Sequence, residues 1–374
     1  MHILHIVGAR PNFMKAAPVM RALGCWDGVR QNLVHTGQHY DANMSEIFFQ
    51  QLDMPAPNVN LGVGSGSHAQ QTAHILSHLE PVVRDYKPDM VLVYGDVNST
   101  MAAALVCAKL LIPVGHVEAG LRSFDRTMPE EINRLLTDQI ADLLFTPSAD
   151  GDENLLREGV TPDKICLVGN VMIDSLVRLL PVAEESTILS NLNLRAGNFG
   201  LVTLHRPSNV QNPATLASIM HALHKISREL PILFPVHPRT RQRLKTSNNH
   251  YPGSMHMLDP LSYIDFLALQ RLAKFVITDS GGIQEETTYL GVPCLTVREN
   301  TERPVTVTFG TNILVGRDMN RLRREVARIL AGDQRPGQVP PLWDGHAAER
   351  IAQAVMTWRR SLSHIGSSLE RALF

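Results

Sequence analysis

The sequence predicts an α/β protein built from two doubly wound, Rossmann-like domains. Apolar runs rich in β-branched residues alternate with segments of helical periodicity, and this alternation occurs in two series, the second beginning near Phe199. Strands that are apolar throughout and separated by helices are typical of a parallel sheet covered by helices on both faces. The length of 374 residues fits two such domains.

The first series supplies the elements of the first domain. In chain order the pattern predicts strand 2–7, helix 12–23, strand 31–35, helix 43–51, helix 68–86, strand 90–94, helix 99–109 and strand 112–117. Pro129 then opens a helix, because proline suits the first helical position and the early carboxylates Glu130 and Glu131 suit the helix dipole. Arg134 lies one turn after Glu130 and can pair with it. Apolar residues at helical spacing extend this helix, namely Ile132, Leu135, Leu136, Ile140, Leu143 and Leu144.

The second series supplies the elements of the second domain. The pattern predicts strand 199–204, helix 213–229, strand 232–236, helix 263–271, strand 275–278, helix 282–289 and strand 292–297. Sheet periodicity is lost near residues 175–198, so we place the domains at 1–176 and 177–357. Residues 346–374 are helical again.

Composition excludes several classes of protein. With 35 basic and 36 acidic residues, the net charge of −1 argues against broad binding to nucleic acid or to an anionic membrane. The first residues lack the basic start of a signal peptide, and Lys109 interrupts the longest apolar run. We therefore expect a soluble cytoplasmic protein. Four cysteines, Cys25, Cys107, Cys166 and Cys294, are scattered without a CxxC pair, and two of them, Cys107 and Cys294, lie in apolar segments that fit buried free thiols of a reducing compartment.

Polar or charged groups follow nearly every predicted strand. Ligands of open α/β sheets bind outside the carboxyl ends of the strands. Polar groups at so many strand ends, in both domains, therefore indicate a cleft that holds a charged ligand. In chain order these groups are Arg10 with Lys15 nearby, Asp96, Glu118, His205 with Arg206, His237, and Ser280 with Gly281 and Gly282.

The residue types indicate a phosphorylated ligand and proton transfer. Ser280, Gly281 and Gly282 lie between a strand and a helix, where glycines let the backbone and the helix N-terminus approach a phosphate. An ordinary strand-to-helix turn is the alternative. A carboxylate such as Glu286 could accept hydrogen bonds from ribose hydroxyls. Arg10, Lys15, Arg206 and Arg303 could neutralise a diphosphate, although solvated surface positions are the alternative for each.

Four residues are candidates for acid–base chemistry, and they are Asp96, Glu118, Glu130 and His205. The alternative is a capping role for Asp96 and a hydrogen-bonded position near the core for His205. Other motifs fail. Residues 64–69 fit G-x-G-x-x-A but do not follow a convincing first strand, so nicotinamide binding is not expected. No histidine or cysteine cluster has metal-ligand spacing, so neither a metal nor another cofactor is expected.

The motifs taken together resemble the non-hydrolysing UDP-N-acetylglucosamine 2-epimerases. The resemblance runs in order from about residue 3 to 320, through GARPNFMK (8–15), TGQHYD (36–41), GDVNST (95–100), HVEAGLRS (116–123), PEEINR (129–134), TLHRPSN (203–209), VHPR (236–239), TDSGGIQEE (278–286) and ENTERP (299–304). It implies a glycosyltransferase-like GT-B fold with the helix 358–374 returning to the first domain. It also implies a homodimer that converts UDP-GlcNAc and UDP-ManNAc into each other without NAD or metal. In this family UDP is eliminated across C1–C2 to give 2-acetamidoglucal and then re-added.

Roles carry over from the family by motif. The resemblance makes Asp96, Glu118, Glu130 and His205 catalytic. It assigns contacts with the substrate or its UDP part to Arg10, Lys15, Arg134, Arg206, His237, Phe266, Ser280, Gly281, Gly282, Glu286 and Arg303. Some relatives bind a second, activating UDP-GlcNAc, and that site is matched here by Gln38, His39, Arg206 and His237.

Two departures from the family keep more than one function open. Ser208 stands where many relatives have Glu, and Asp41 stands where activated relatives often carry Gln. Residues 36–49 resemble epimerases of UDP-2,3-diacetamido-uronic acids, whereas QEETTYLG and TERP favour UDP-GlcNAc. Three further functions stay open, namely a hydrolysing epimerase that releases ManNAc, a GT-B glycosyltransferase and a non-catalytic nucleotide-sugar binding protein.

Overall fold

The computed structural model describes residues 1–38, 49, 51–236, 240–242, 244, 255–334 and 336–372, with the backbone alone for 361–372. The chain divides into two compact units. Unit 1 comprises Met1–Ser175 and Pro341–Phe374, and unit 2 comprises Leu176–Pro340. The predicted helix 43–51 lies almost entirely outside the described residues.

Unit 1 contains a seven-stranded parallel sheet in the order β3-β2-β1-β4-β5-β6-β7. Its strands are β1 His2–Val7, β2 Arg30–His35, β3 Val59–Asn60, β4 Met90–Tyr94, β5 Val114–Val117, β6 Leu143–Thr146 and β7 Ile165–Leu167. Its helices are α1 Arg10–Gly24, α2 His68–Tyr86, α3 Asn98–Lys109, α4 Pro129–Ile140 and α5 Ala149–Arg157, and a 3₁₀ turn covers Pro162–Lys164. Helix α6, Val171–Glu184, contains the boundary with unit 2.

Unit 2 contains a six-stranded parallel sheet in the order β10-β9-β8-β11-β12-β13. Its strands are β8 Gly200–Thr203, β9 Ile232–Pro235, β10 Met255–Leu258, β11 Phe275–Thr278, β12 Cys294–Thr296 and β13 Asn312–Leu314. Its helices are α7 Ile188–Asn191, α8 Pro207–Val210, α9 Pro213–Ile226, α10 Tyr263–Leu272, α11 Gly281–Leu290, α12 Val305–Thr308 and α13 Met319–Leu330. The two doubly wound sheets confirm the predicted α/β fold class.

The central strands form because their side chains are buried on both faces. All residues of β1 and β4 are buried, and β4 pairs with β1 on one side and with β5 on the other. Apolar clusters from the strands and the covering helices fill the space above and below each sheet. Burial of these clusters supplies most of the stabilisation of each unit.

One predicted helix is too long. Pro129 does open α4, but the helix ends at Ile140, and Leu143 and Leu144 belong to strand β6. The four residues of β6 are buried, and the strand pairs with β5 and β7. A short apolar run that continues a helical spacing does not distinguish helix from buried strand, which is why the sequence pattern was misleading here.

The chain returns to unit 1 at Pro341, earlier than the expected residue 358. The indole N–H of the buried Trp343 donates to the carbonyl of Pro147 at 2.9 Å. The backbone N–H groups of Ala347 and Ala348, which begin helix α14 (Ala347–Ala372), donate to the carboxylate of Asp174 at 3.1 and 2.6 Å. These contacts attach the segment before residue 358 to unit 1. Among the described residues, no helix combines the length and hydropathy needed to cross a membrane.

Candidate active site

Each sheet reverses its strand order once, and the predicted polar groups lie at that reversal. The reversal occurs between β1 and β4 in unit 1 and between β8 and β11 in unit 2. Such topological switch points are the places where doubly wound sheets bind ligands. Arg10 and Asp96 follow β1 and β4, and His205 and Ser280 follow β8 and β11. The candidates within each unit are therefore close to a position suited to a ligand.

Asn12 joins the two strand ends at the switch point of unit 1. Its side-chain oxygen accepts hydrogen bonds from the backbone N–H groups of Gly8 and Ala9, both at 3.0 Å, and its side-chain nitrogen donates to the carbonyl of Tyr94 at 2.7 Å. A Cβ at Gly8 would lie 2.1 Å from Oγ of Ser99, so only glycine fits there. Asn12 was not predicted as a site residue, although it lies inside the GARPNFMK motif.

Lys15 and Glu118 form a buried ion pair. Glu118 follows β5 and has a positive φ of 73°, a conformation that costs energy for a residue other than glycine. Gly95 also has a positive φ, and a Cβ there would lie 2.7 Å from Nζ of Lys15 and 3.3 Å from Oε2 of Glu118. The fold thus holds a carboxylate and an ammonium in one fixed arrangement. Arg10, by contrast, is exposed at the start of α1.

Asp96 is held through a chain of buried charges on helix α4. The guanidinium of Arg134, 1% exposed, pairs with Asp96 and with Glu131, the latter at 2.6 Å. The pairing expected from the sequence was with Glu130, one residue earlier. Asn133 also donates to the carbonyl of Asp96 at 2.9 Å. Helix α4 therefore fixes both the backbone and the side chain of Asp96.

Glu131 orders the loop that precedes helix α4. Its carboxylate accepts the backbone N–H groups of Ser123 and Phe124 at 3.0 and 2.9 Å. Burial raises the pKa of Glu131, but the bond from Ser123 and the charge of Arg134 outweigh burial and hold the pKa below its ordinary value. Glu130 itself is exposed in the first turn of α4. Its spacing of four residues from Arg134 places both on one side of the helix.

A second buried network lies beneath this loop. His116 bonds to Asp138 at 2.6 Å and, through its other ring nitrogen, to the carbonyl of Gly95 at 2.8 Å. Arg122 pairs with Asp138 at 2.7 Å and with Glu158 at 2.6 Å. Burial raises the pKa of Asp138, while His116 and Arg122 lower it, and the balance leaves it below its ordinary value. The network supports the turn that carries Gly95 and Asp96.

The switch point of unit 2 pairs an exposed histidine with a buried carboxylate. The side chain of His205 is 59% exposed, and its Nδ1 lies 2.9 Å from Oδ1 of Asp279, which is fully buried. Asp279 also accepts the backbone N–H groups of His205 and Arg206. Burial raises the pKa of Asp279, but the bonds and charge of His205, with the bonds from Asn209 and Arg206, hold it below its ordinary value. Asp279 was not among the residues predicted from the sequence.

Helix α11 presents its N-terminus beside an arginine. Ser280 is the N-cap residue, and its side chain makes no capping hydrogen bond, while Gly281 and Gly282 begin the helix. A Cβ at Gly281 would lie 2.4 Å from Nη1 of Arg303 and 2.8 Å from Oε1 of Glu302. Free backbone N–H groups, glycine and a guanidinium together form a surface suited to a phosphate.

Two carboxylates hold the arginines near this helix N-terminus. Arg303 pairs with Glu285 at 2.7 Å and with Glu302 at 2.6 Å. Glu302 also pairs with the buried Arg298 at 2.7 Å and lies 3.7 Å from Arg206. Glu302 therefore connects three guanidinium groups, although only Arg206 and Arg303 were predicted from the sequence.

Glu286 and Phe266 are less accessible than expected for residues that contact a ligand. Glu286 is 2% exposed, and one of its oxygens accepts the hydroxyl of Tyr263 at 2.8 Å. Burial raises the pKa of Glu286 to about 7, although the bond from Tyr263 lowers it. Phe266 is partly buried against the apolar cluster that contains Leu269.

The residues matched to a second nucleotide-sugar site are only partly described. The side-chain oxygen of Gln38 is buried and accepts the backbone N–H and the hydroxyl of Ser99, at 2.9 and 2.7 Å. It thereby caps the first turn of α3. His39 and His237 lie outside the described residues.

A cavity of about 870 Å³ in unit 2 lies along the edge strand β13, and residues such as Arg317 and Glu325 line it. It contains none of the predicted site residues. We place the candidate residues at the two switch points, because unit 1 holds its buried ion pairs at one and unit 2 holds the N-terminus of α11 at the other. Within the described parts of the chain, no cluster of His, Cys, Asp or Glu could hold a metal ion.

Comparison with known proteins gives consistent matches. The family described as "UDP-N-acetylglucosamine 2-epimerase" matches residues 22–356. The chain is 42% identical to the Methanocaldococcus jannaschii protein named UDP-N-acetylglucosamine 2-epimerase, over 94% of this chain and 98% of the relative. It is 43% identical to the Pseudomonas aeruginosa UDP-2,3-diacetamido-2,3-dideoxy-D-glucuronate 2-epimerase, over 94% of this chain and 99% of the relative.

Solved structures agree with these matches. The crystal structure of M. jannaschii UDP-GlcNAc 2-epimerase in complex with UDP-GlcNAc and UDP superposes with a TM-score of 0.87 at 42% identity, covering 96% of this chain and 100% of that one. The sucrose-phosphate synthase of Thermosynechococcus elongatus superposes with a TM-score of 0.58 at 13% identity, covering 100% of this chain and 99% of that one. At that identity the likeness shows the fold alone. These neighbours confirm the predicted glycosyltransferase-like fold.

Proposed function

This chain belongs to the UDP-N-acetylglucosamine 2-epimerase family, and from that premise we propose that it interconverts UDP-GlcNAc and UDP-ManNAc by inverting C2 of the sugar. The observation that carries the proposal is the division of chemistry between the two switch points. Unit 1 collects fixed carboxylates, whereas unit 2 offers a helix N-terminus beside arginines. An enzyme that moves a proton while a diphosphate leaves requires both kinds of group.

We assign the UDP part of the substrate to unit 2. The N-terminus of α11, with Gly281 and Arg303, would bind the diphosphate through backbone N–H groups and a guanidinium. Arg206 would add positive charge from the neighbouring strand end. These groups stabilise the negative charge that develops on UDP as the C1–O bond breaks. The family resemblance adds Arg10 and Lys15 to the residues proposed to contact UDP.

We assign the proton transfer to Asp96, Glu118 and Glu130, with His205. One base removes the proton from C2, the C2–H electron pair forms the C1–C2 double bond, and UDP leaves with the C1–O electron pair. The product pair is UDP and 2-acetamidoglucal. Re-addition of UDP at C1 with protonation of C2 on the opposite face gives the epimer. The fixed ion pairs of Glu118 and Asp96 hold these carboxylates in place for this exchange.

A related substrate is the second candidate. The similarity to the P. aeruginosa enzyme, at 43% identity, favours a UDP-2,3-diacetamido-uronic acid as strongly as the first relative favours UDP-GlcNAc. The two sugars share the diphosphate and the reacting C2 and differ in the group at C3 and in the carboxylate at C6. The chemistry assigned to both units is therefore the same for either substrate.

We further propose that the enzyme acts without hydrolysis and without NAD or added metal. We place it in the cytoplasm, as a homodimer that supplies precursors of bacterial surface polysaccharides. Gln38 caps α3, so a second UDP-GlcNAc that used its side chain would have to displace the bond to Ser99.

Proton NMR of purified protein with UDP-GlcNAc in D₂O tests the proposal. We expect nucleotide-bound ManNAc to appear and deuterium to enter at C2. Free ManNAc would instead identify a hydrolysing enzyme, and deuterium exchange without epimerisation would mean that C2 is reprotonated only on its original face. A parallel reaction with the diacetamido-uronic acid substrate decides between the two sugars. Loss of activity after EDTA treatment, restored by a metal, would contradict the metal-independent mechanism.

A further inference from the structure

The carboxylate of Asp279 is a buried charge to which the proposed mechanism has assigned no role. It follows strand β11 and is fully buried, while the imidazole beside it is largely exposed. Its oxygens accept the backbone N–H of His205 at 3.1 Å, that of Arg206 at 3.0 Å and the side-chain amide of Asn209 at 3.0 Å. Nδ1 of His205 lies 2.9 Å from Oδ1 of the same carboxylate.

The direction of the hydrogen bond between His205 and Asp279 determines which ring nitrogen of the imidazole carries the proton. An ionised carboxylate only accepts hydrogen bonds, so Nδ1 of His205 must carry a proton to bond to Asp279. In the neutral ring the lone pair then lies on Nε2. The partner of one ring nitrogen thus sets the chemistry of the other.

The neighbouring arginine does not compete for this carboxylate through its side chain. Nε of Arg206 donates to the backbone carbonyl of Asp279 at 3.0 Å, and its Nη2 lies 3.7 Å from Glu302. The carboxylate of Asp279 receives only the backbone N–H of Arg206 among the bonds described for that residue. The imidazole is therefore the ionisable side chain that this buried charge faces most directly.

We propose that Asp279 is a positioning residue that fixes the tautomer and the orientation of His205, so that Nε2 is the atom that exchanges a proton with the substrate. When Nε2 accepts a proton, the ring becomes an imidazolium and the buried carboxylate, which stays ionised, stabilises its charge. The same proton leaves from Nε2 when the reaction reverses. The catalytic part of this inference rests on the proposed function, whereas the tautomer does not.

The test combines spectroscopy with kinetics on the full-length protein. ¹⁵N NMR of histidine-labelled protein reports which ring nitrogen carries the proton, and the His205→Asn variant identifies the signals of His205. We expect the Nδ1–H tautomer in the wild type and its loss in Asp279→Asn. We also expect kcat for UDP-GlcNAc to fall roughly 10²-fold in Asp279→Asn, with KM changed only a few-fold.

A matched control is Asp318→Asn. Asp318 also accepts backbone N–H groups at a helix start of unit 2, those of Asn320 and Arg321, but it has no histidine partner in the described structure. The control should change neither the His205 signals nor kcat. Asp279→Glu keeps a carboxylate on a longer side chain, so it should retain the Nδ1–H tautomer and more activity than Asp279→Asn.

Three outcomes would overturn the inference. They are an Nε2–H tautomer in the wild type, an unchanged tautomer in folded Asp279→Asn, and a kcat for that variant within three-fold of the wild type. If Asp279→Asn does not fold, the wild-type tautomer and the Asp279→Glu variant decide. A wild type without epimerase activity would refute the proposed function, while the tautomer measurement would still test the role of Asp279.

Discussion

The two switch points hold their reactive groups in opposite ways. In unit 1 the candidate bases Glu118 and Asp96 bond to the buried cations Lys15 and Arg134. In unit 2 the candidate His205 is largely exposed, and the buried group is its carboxylate partner Asp279. A group that is part of a buried ion pair contributes to folding as well as to chemistry, whereas an exposed ring can be replaced at little cost to folding. Substitutions in the two units should therefore differ in their effect on stability.

Removing one member of the buried pair in unit 1 should have the largest effect. Glu118→Gln leaves the charge of Lys15 buried without its partner, so we expect unit 1 to lose about 3 kcal/mol of stability. Epimerase activity should fall roughly 10²-fold or more, with UDP binding within a few-fold of the wild type. All three tryptophans, Trp26, Trp343 and Trp358, lie in unit 1, so urea unfolding followed by tryptophan fluorescence reports on this unit.

The double variant Lys15→Met with Glu118→Gln is the control for that prediction. It removes both charges, so it should recover much of the lost stability but none of the activity. Equal stability of the single and double variants would mean that the two side chains do not interact strongly in the folded protein.

Buried glutamates should give the two units opposite dependence on pH. Glu286 in unit 2 has its pKa raised by burial to about 7, above the ordinary value of 4.5. Folding therefore favours its protonated form, and its contribution to stability is present below pH 4.5 and lost as pH rises through 7. Glu131 in unit 1 has a lowered pKa, so its contribution is lost as pH falls below 4.5.

Urea unfolding between about pH 3 and 8, followed by circular dichroism, measures this difference. From pH 4 to 8 the stability of the wild type relative to Glu286→Gln should fall on the order of 3 kcal/mol. The stability of the wild type relative to Glu131→Gln should instead rise with pH. A constant difference between the wild type and Glu286→Gln would show that Glu286 titrates normally.

A side chain at the start of α11 should weaken the binding of UDP. The Cβ of Gly281→Ala would lie 2.4 Å from Nη1 of Arg303 and would displace this guanidinium. We expect at least tenfold weaker UDP binding, about 1.4 kcal/mol, and a much smaller change for uridine, which has no phosphates. Calorimetry with both ligands measures the ratio of their affinities. Gly66→Ala, where the nearest atom is 3.7 Å away, is the control, and an unchanged ratio in Gly281→Ala would place the phosphates elsewhere.

The smallest change in stability is expected for His205→Asn. The ring is 59% exposed, and Asp279 would keep its bonds from two backbone N–H groups and from Asn209, so the free energy of unfolding should change by about 0.5 kcal/mol or less. Activity should nevertheless fall roughly 10²-fold, with UDP binding within a few-fold of the wild type. Asp279→Asn, which alters a buried acceptor, should be clearly less stable than His205→Asn. Similar losses of stability in both variants would contradict the contrast between the two units.

The sequence pattern predicted strands that are fully buried and failed for strands that are only partly buried. All central strands except β6 were found, whereas β3, β7, β10 and β13 were missed. These four strands form the edges of the sheets and are only partly buried. An edge strand pairs with a neighbour on one side only and is less buried, so it lacks the continuous apolar run by which a central strand is recognised. Strand β6 was missed for another reason, since its leucines continued the spacing of α4.

The candidate site was predictable where a residue directly follows a central strand. Asp96, Glu118 and His205 became candidates in this way, because parallel strands bring their carboxyl ends to one edge. Lys15 and Arg134 were also predicted as site residues, but their pairing with Glu118 and Asp96 was not, and two buried acids were missed. Asp279 was passed over in favour of the Ser-Gly-Gly sequence after it, and Glu131 in favour of Glu130. Which of two adjacent acids is buried depends on the packing of the loop and helix, and sequence spacing does not reveal it.

The return of the chain to unit 1 has a consequence for synthesis on the ribosome. Unit 2 is continuous from Leu176 to Pro340, whereas unit 1 requires Pro341–Phe374, in which α14 packs against α1. Domains fold as units during translation. All residues of unit 2 therefore emerge before the last segment of unit 1. Unit 1, whose synthesis begins first, is the unit whose folding is completed last. Until α14 is made, the surface of α1 that it covers stays open to solvent and to chaperones.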